Sequence, residues 1–588
     1  MMNKTREIGT MLVAGLLCFS ASCALFAAER APNVLIVIAD DMGWGDLSGH
    51  GNESVRTPNL DRLASAGASF ERFYVQPVCS PTRAEVLTGL HHPRVGVSGV
   101  SRGFERMQPA VKTLGDVFKQ QGYSTAAFGK WHNGTQAPYH PKCRGFDEFY
   151  GFCSGHWGQY FAPLVDHNGH IEKSNGYLTD ELTTHAIDFM RKHKSDPFFI
   201  LLAYNTPHSP MQVPDRWWQP HAQQQLAQRG TNHSAENIPH TRAALAMCEN
   251  IDWNVGRLTD AIDAEGLQED TIVVFLSDNG PNGHRWNGEM RGIKGSTDEG
   301  GVRSPLFIKW PGRIPAGQVV SPNAAAIDLL PTLCELAEAE TPEADGVSLA
   351  PLVQGQSTVW PERFVYSHWN GKVSARRGHL VLDHAGRLYD LNQDPGQQQD
   401  ITDQQPDVAQ EFRAAVDTWR REVLDETPRS PQPFTVGHRS LQVTQLPARD
   451  ATATGGIERS SRHPNSSFMT NWTNADETID WKVEVAESGR FGATLYYSCD
   501  ASDAGSDVEL RSGNSTVSCK VPAHPSELIG AESDRVRRTE SYEQDWKALE
   551  MGTIDLAQGE GTLTLRALDV AGDEVMDFRL LVLRRIDD

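Results

Sequence analysis

Three stretches of this chain are apolar almost without interruption: Asn33-Val34-Leu35-Ile36-Val37-Ile38-Ala39, Phe198-Phe199-Ile200-Leu201-Leu202-Ala203 and Thr271-Ile272-Val273-Val274-Phe275-Leu276. A strand with one wet face alternates apolar and polar residues. These runs do not alternate, so they predict strands buried on both faces of a mostly parallel sheet. Such a sheet must be covered by helices on either side, and helical periodicity at residues 112–121 and 243–262 supplies them. The expected fold class is therefore α/β, a mostly parallel central sheet flanked by helices, over residues 29–345.

The rest of the chain changes character. Between residues 346 and 430, short runs at Arg363-Phe364-Val365-Tyr366, His379-Leu380-Val381-Leu382 and Arg387-Leu388-Tyr389-Asp390-Leu391 predict a small antiparallel-sheet C-terminal subdomain. A helix over residues 406–424 closes it, and the proline-rich stretch 427–434 reads as a linker. From 431 to 588, alternating segments at 479–485, 490–497 and 561–568, separated by turn clusters, predict an appended β-sandwich domain.

At 588 residues the chain exceeds one ordinary core. Its net charge of −22 excludes nucleic acid as a partner, since phosphate neutralisation needs clustered Lys and Arg. Lys4 and Arg6, an apolar run over residues 11–25 and then Ala27-Ala28 predict a signal peptide at 1–28, hence a secreted or periplasmic protein. No later run is long enough for a membrane span. In an exported chain, Cys143 with Cys153 and Cys499 with Cys519 are candidate disulfides. That pairing leaves an odd number of cysteines, which includes Cys79.

Residues that carry chemistry follow the buried runs. Asp40-Asp41 ends the first and Asp278-Asn279-Gly280 the third. Ligands bind at the carboxyl ends of parallel strands, and adjacent carboxylates repel unless a cation or proton intervenes. Taken singly, each pair also suits an ordinary turn. Together they form a hard oxygen set for one divalent cation, calcium by preference. Lys130 and His132 in Gly129-Lys130-Trp131-His132, His208 after Thr206-Pro207, and Lys294 in Arg291-Gly292-Ile293-Lys294 fall on the same predicted rim, equipment for an oxyanion. Finally, Cys79-Ser80-Pro81-Thr82-Arg83 opens a predicted helix, with Ser80 as its expected cap.

In that order these motifs, with Gly295-Ser296-Thr297-Asp298-Glu299-Gly300-Gly301 and Leu388-Tyr389-Asp390-Leu391, resemble the type I, formylglycine-dependent sulfatases of the alkaline-phosphatase-like superfamily. The resemblance spans residues 32–424 and is intact at every core position. It implies that a maturation enzyme converts Cys79 to formylglycine, whose hydrate attacks sulfur. It implies a metal site of Asp40, Asp41, Cys79, Asp278 and Asn279 holding calcium, with Arg83 and Lys130 supporting it. His208 and Lys294 would contact the sulfate, and one of them would protonate the leaving oxygen. His132 would take the proton that lets the intermediate collapse. The substrate expected from export and from the appended sandwich is a sulfated carbohydrate. Trp157, Trp286, Trp369, Arg285, His368 and Arg377 are candidate subsite residues or plain structural ones. Two other readings stand beside this one: a phosphodiesterase or phosphonate monoester hydrolase on the same fold, and a non-catalytic glycan-binding protein.

Overall fold

The computed structural model describes residues 30–356, 360–425, 432–463 and 466–586. The signal peptide expected at 1–28 and residues 427–431 of the expected linker lie outside these.

The central sheet has ten strands. Its middle is parallel: Thr271–Ser277, Asn33–Asp40, Phe198–Pro207, Ser124–Lys130 and Glu148–Phe152 lie side by side in that order. Antiparallel partners flank this parallel block on both sides, Leu306–Lys309 beside Thr271–Ser277 and Leu164–His167 beside Glu148–Phe152. The strand Asn33–Asp40 shows why the apolar run does not alternate. Val34, Ile36 and Ile38 pack into one hydrophobic core, while Leu35, Val37 and Ala39 pack into another on the opposite face. Helices Cys79–Thr88 and Leu329–Leu336 cover the first face, Leu178–His193 and Ile238–Ala264 the second. Leu349, Ala350 and Val353, past position 345, also pack into the first of these cores.

A four-stranded antiparallel sheet, Val365–Trp369, Lys372–Arg377, Leu380–Leu382 and Leu388–Asp390, follows. Helix Pro406–Trp419 lays Ala409, Phe412, Val416 and Trp419 against it, then continues as one π-helical turn, Arg420–Leu424. The last unit consists of two sheets that share a single core. Thr478–Val485 buries alternate residues (Ile479, Trp481, Val483, Val485) against Phe491, Leu495, Leu581 and Leu583 of the other sheet.

Two expectations fail. All seven cysteines among the described residues are free thiols. Cys499 follows strand Gly489–Ser498 of one sandwich sheet, whereas Cys519 lies in Ser515–Lys520 of the other. Cys143 sits in a 3-10 turn, and the buried Cys153 groups with His140 and Asp166. The parity argument for Cys79 goes with those pairings. Ser80 also does not cap its helix: the helix begins at Cys79, Val78 holds the cap position, and no side chain caps it.

Candidate active site

Asp40, Asp41, Lys130, His132, His208, Asp278 and Asn279 stand at or just past the carboxyl ends of central strands, whereas Cys79 and Arg83 lie on helix Cys79–Thr88 and Lys294 in the loop that follows strand Thr271–Ser277. Asp40 is the last residue of its strand, and Asp41 follows with φ 70°. Successive residues on a strand face opposite ways. The left-handed turn at Asp41, a conformation aspartate tolerates, breaks that alternation and brings both carboxylates to one place. His132 does the same after strand Ser124–Lys130, with φ 61°. Helix Cys79–Thr88 is buried throughout and ends on Gly89 in the left-handed region (φ 68°), whose N–H bonds the Glu85 carbonyl. Asn133 Nδ2 donates to the Ser80 carbonyl at 3.2 Å, tying the His132 loop to the first turn of that helix.

The charges interlock pairwise. Lys130 Nζ lies 2.7 Å from Asp40 Oδ2 and Lys294 Nζ 2.6 Å from Asp41 Oδ1. Arg83 reaches Asp278 Oδ2 through Nε at 2.9 Å and Nη2 at 2.7 Å. Asn279 Nδ2 donates to Asp41 Oδ1 at 2.8 Å, and the Asp41 N–H donates to Asp278 Oδ1 at 3.2 Å. The oxygens left over are informative. Asp40 Oδ1, Asp41 Oδ2 and Asn279 Oδ1 are all buried without a hydrogen-bond partner. Buried acceptors are ordinarily satisfied. One ligand atom each from Asp40, Cys79 and Asp278 lies within 4.8 Å of the others, and the same holds for Asp40, Asp41 and His208. Three orphaned hard oxygens beside such a cluster fit a divalent cation that prefers oxygen.

Titration follows the same geometry. Burial pushes the Asp40 carboxyl up to about 8, with Lys130 opposing and Asp278 and Asp41 adding to the rise. For Asp41, burial is outweighed by Lys294, His208 and Lys130, which hold it well below the usual range. Burial would lower Lys294, but Asp41 and then Cys79 keep it raised and cationic. Burial pushes the Cys79 thiol up against the pull of Lys130 and Lys294, so the unmodified side chain is a poor thiolate nucleophile.

Both histidines have fixed tautomers. His208 Nδ1 sits 2.7 Å from the Ser209 carbonyl and must carry the hydrogen; its bare Nε2 faces Asp41 Oδ2 at 3.6 Å. Burial and then Lys294 lower His208 to about 4. His132 Nε2 donates to the Val100 carbonyl at 2.7 Å, which leaves Nδ1 bare, buried and unpartnered. Burial and then Lys130 hold His132 well below the ordinary imidazole range, so Nδ1 is a base ready to accept a proton.

A sequence profile described as Sulfatase matches residues 32–339, and one for the C-terminal part of N-sulphoglucosamine sulphohydrolase matches residues 294–422. The chain belongs to the sulfatase family. It is a sulfuric ester hydrolase. Arylsulfatase A of Bos taurus is 33% identical over 469 residues, covering 67% of this sulfatase and 88% of the relative. N-acetylgalactosamine-6-sulfatase of Sus scrofa is 33% identical over 401 residues, covering 61% and 73%. Among solved structures, Ps i-CgsB in complex with k-i-k-neocarrahexaose superposes with a TM-score of 0.60 at 29% identity, covering 66% of this chain and 93% of that one.

The candidate subsite residues of this sulfatase separate. Arg285 is buried and braces the site: it bonds Asp46 Oδ2 at 2.6 Å and the Asp41 carbonyl at 2.9 Å. Arg377 is spent on Glu411, and His368 stacks on His92. Trp157 stacks on Phe152 and lines a cavity shared with Trp546 and Arg579 of the sandwich. Trp286 and Trp369 stay half-exposed. One residue escaped the sequence reading. His156 is 5% exposed and places Nδ1 3.4 Å from His208 Nδ1. It lies just past strand Glu148–Phe152, so the strand-end rule applied to the predicted rim would have reached it.

Proposed function

We propose that this sulfatase is an exported, calcium-dependent carbohydrate sulfatase that works through a formylglycine at position 79. The observation carrying the reading is the convergence of Asp40, Cys79 and Asp278 within 4.8 Å, beside three buried oxygens that lack partners. Asp40, Asp41, Asp278 and Asn279, with the modified residue 79, would hold the cation, which supplies charge neutralisation for the sulfate and acidity to an oxygen bound there. Formylglycine, once formed from Cys79, supplies a geminal diol: one hydroxyl for attack on sulfur and a second whose deprotonation expels sulfate.

The chain's own residues do the rest. Arg83 and Lys130 pair with Asp278 and Asp40 and hold their carboxyl groups in place. Lys294, kept cationic, binds a sulfate oxygen. His208 presents its bare Nε2 on the same side, and the proton for the leaving oxygen comes from the Lys294 ammonium. His132 Nδ1 accepts the proton of the second hydroxyl. A carbohydrate substrate is supported by the oligosaccharide complex of Ps i-CgsB and by the N-acetylgalactosamine-6-sulfatase relatives. A division into three units is supported by cores that are separate for the central sheet, the small sheet and the sandwich, the first of them running past 345 to take in Leu349, Ala350 and Val353.

The test pairs chemistry with mass. Active protein should carry a residue-79 peptide about 18 Da lighter than the cysteine form. It should also turn over a chromogenic aryl sulfate far faster than the matching phosphate. An unmodified thiol in active protein, or preference for the phosphate, refutes the reading.

A further inference from the structure

The C-terminal sandwich reaches the sulfate-ester site. Between its strands, residues 529–546 leave the sheets and lie against the loop that follows His208. The attachment is dense and directional. Gln212 forms an antiparallel bridge with Asp534, and its side-chain amide nitrogen, Nε2, donates to the Gly530 carbonyl and to Asp534 Oδ1, both at 2.9 Å. The opposite end of the same amide, Oε1, accepts from the Tyr160 N–H at 2.8 Å. Arg535 bonds the Val213 carbonyl at 2.6 Å, and the buried Arg538 donates to the Gly158 carbonyl while pairing with Asp534. Ile529 bridges Glu543, closing the segment into a loop of defined shape.

This loop delivers a carboxylate. Glu540 Oε1 accepts from Ser209 Oγ at 2.8 Å, one residue along from His208. Ser209 is 8% exposed, Glu540 is half-buried, and the next residue, Ser541, is buried. Beside them the buried His156 leaves Nε2 without a partner. Its tautomer follows from the chain of contacts: His208 Nδ1 carries a hydrogen for the Ser209 carbonyl, so His156 Nδ1 opposite is the acceptor and His156 Nε2 holds the N–H. Charge agrees with this placement. Burial would raise Glu540, but His156, the Ser209 hydroxyl and His208 bring it down to about 2, so it is an anion. The cationic side chains of the site, Arg83, Lys130 and Lys294, are each engaged with another carboxylate.

Building on the carbohydrate-sulfatase reading, we propose that the sandwich supplies one wall of the substrate pocket, with Glu540 as a specificity-determining residue. On the flank beyond His208 it accepts hydrogen bonds from sugar hydroxyls and disfavours a second anionic group. The substrate class is then a sulfated sugar whose neighbouring positions on that flank carry hydroxyls, not a second sulfate or a carboxylate. Cationic sulfatase sites attract any polyanion; an anion placed on one side makes the attraction selective.

The experiment uses full-length protein and two chromogenic esters, 4-nitrophenyl sulfate and its analogue with a carboxylate ortho to the sulfate. The readout is the ratio of kcat/KM for the carboxylated ester to that for the plain one, measured in wild type, E540Q and E540K. Removing one unit charge roughly 6–8 Å from another at a solvent-accessible rim should raise the ratio roughly fivefold in E540Q, and charge reversal should raise it further in E540K. A ratio that stays constant across the three proteins overturns the proposal. So does an equal loss of both rates, because that is what a merely structural contact would give. If wild type turns over neither sulfate, the parent reading has failed rather than this one alone.

Discussion

Calcium should stabilise this sulfatase by an increment that grows with pH, and Asp40 sets the slope. Without a cation, burial pushes Asp40 from an ordinary 3.8 up to about 8. Below the ordinary value the carboxyl is protonated both folded and unfolded, and this group then adds no pH dependence. Between that value and about 8 the unfolded chain ionises while the cation-free fold keeps its proton, so stability falls as pH rises through the window. A bound dication takes the proton's place, and binding releases it. Apparent cation affinity should therefore rise about tenfold, or about 1.4 kcal/mol, per pH unit up to about 8 and then level off. The family profiles span about 390 residues between positions 32 and 422. At about 2.1 cal/mol/K per residue, unfolding entropy for that stretch is about 0.8 kcal/mol/K, so each pH unit adds about 2 °C to the calcium-induced rise in Tm. The assay is a thermal melt with fixed excess calcium and with chelator, at about pH 6 and about pH 8, where the two increments should differ by about 3–4 °C. D40N should abolish that difference. Equal increments at the two pH values in wild type would refute the argument that the cation displaces a proton from Asp40.

Three other perturbations test separate parts of the site. Cys79→Ser offers one hydroxyl and no second to collapse the ester, so it should release at most one equivalent of leaving group and gain about 80 Da by intact mass; sustained turnover contradicts the diol chemistry. His132→Ala removes the bare Nδ1 and should lower kcat about 10²–10⁴-fold with little change in KM. Arg83→Met strands a buried carboxylate at Asp278, and denaturant melts should show about 3–5 kcal/mol of lost stability; a near-neutral result would mean that Asp278 finds another partner.

The sheet was legible because Asn33–Asp40 is wet on neither face, so burial shows as an unbroken apolar run with no alternation to interpret. The sandwich was legible for the opposite reason: Thr478–Val485 has one exposed face, and its period of two survives in the sequence. The site was legible where residues follow strands directly, as Asp40, Asp41, Asp278 and Asn279 do. Disulfide pairing was not, because closeness in sequence says nothing about which sheet a cysteine joins, and Cys499 and Cys519 belong to different ones. Glu540 was invisible for a related reason. It acts 331 residues away from Ser209, through a docking contact between two units that no local pattern encodes. The helix start at Cys79 escaped because the cap position falls to Val78, a residue with no capping side chain.

The pairing of charges around residue 79 carries one more consequence. Asp40, Asp41 and Asp278 are matched one to one by Lys130, Lys294 and Arg83, so each of these three cationic side chains is already engaged with a carboxyl group when a sulfate arrives. A dication held by these carboxylates would add positive charge to the site and would compete with Lys294 for Asp41. Lys294 is the cation best placed to respond, since its side chain is 18% exposed whereas those of Lys130 and Arg83 are almost fully buried. Released from Asp41 it can reach a sulfate oxygen, while Lys130 and Arg83 stay with their carboxylates. Metal and sulfate binding are thereby coupled through one lysine. Lys294→Met should leave calcium affinity intact or raised, because a competitor for Asp41 is gone, while weakening competitive inhibition by inorganic sulfate about tenfold or more, as loss of a charge-assisted contact requires. A parallel fall in affinity for both ions would show instead that Lys294 only builds the site.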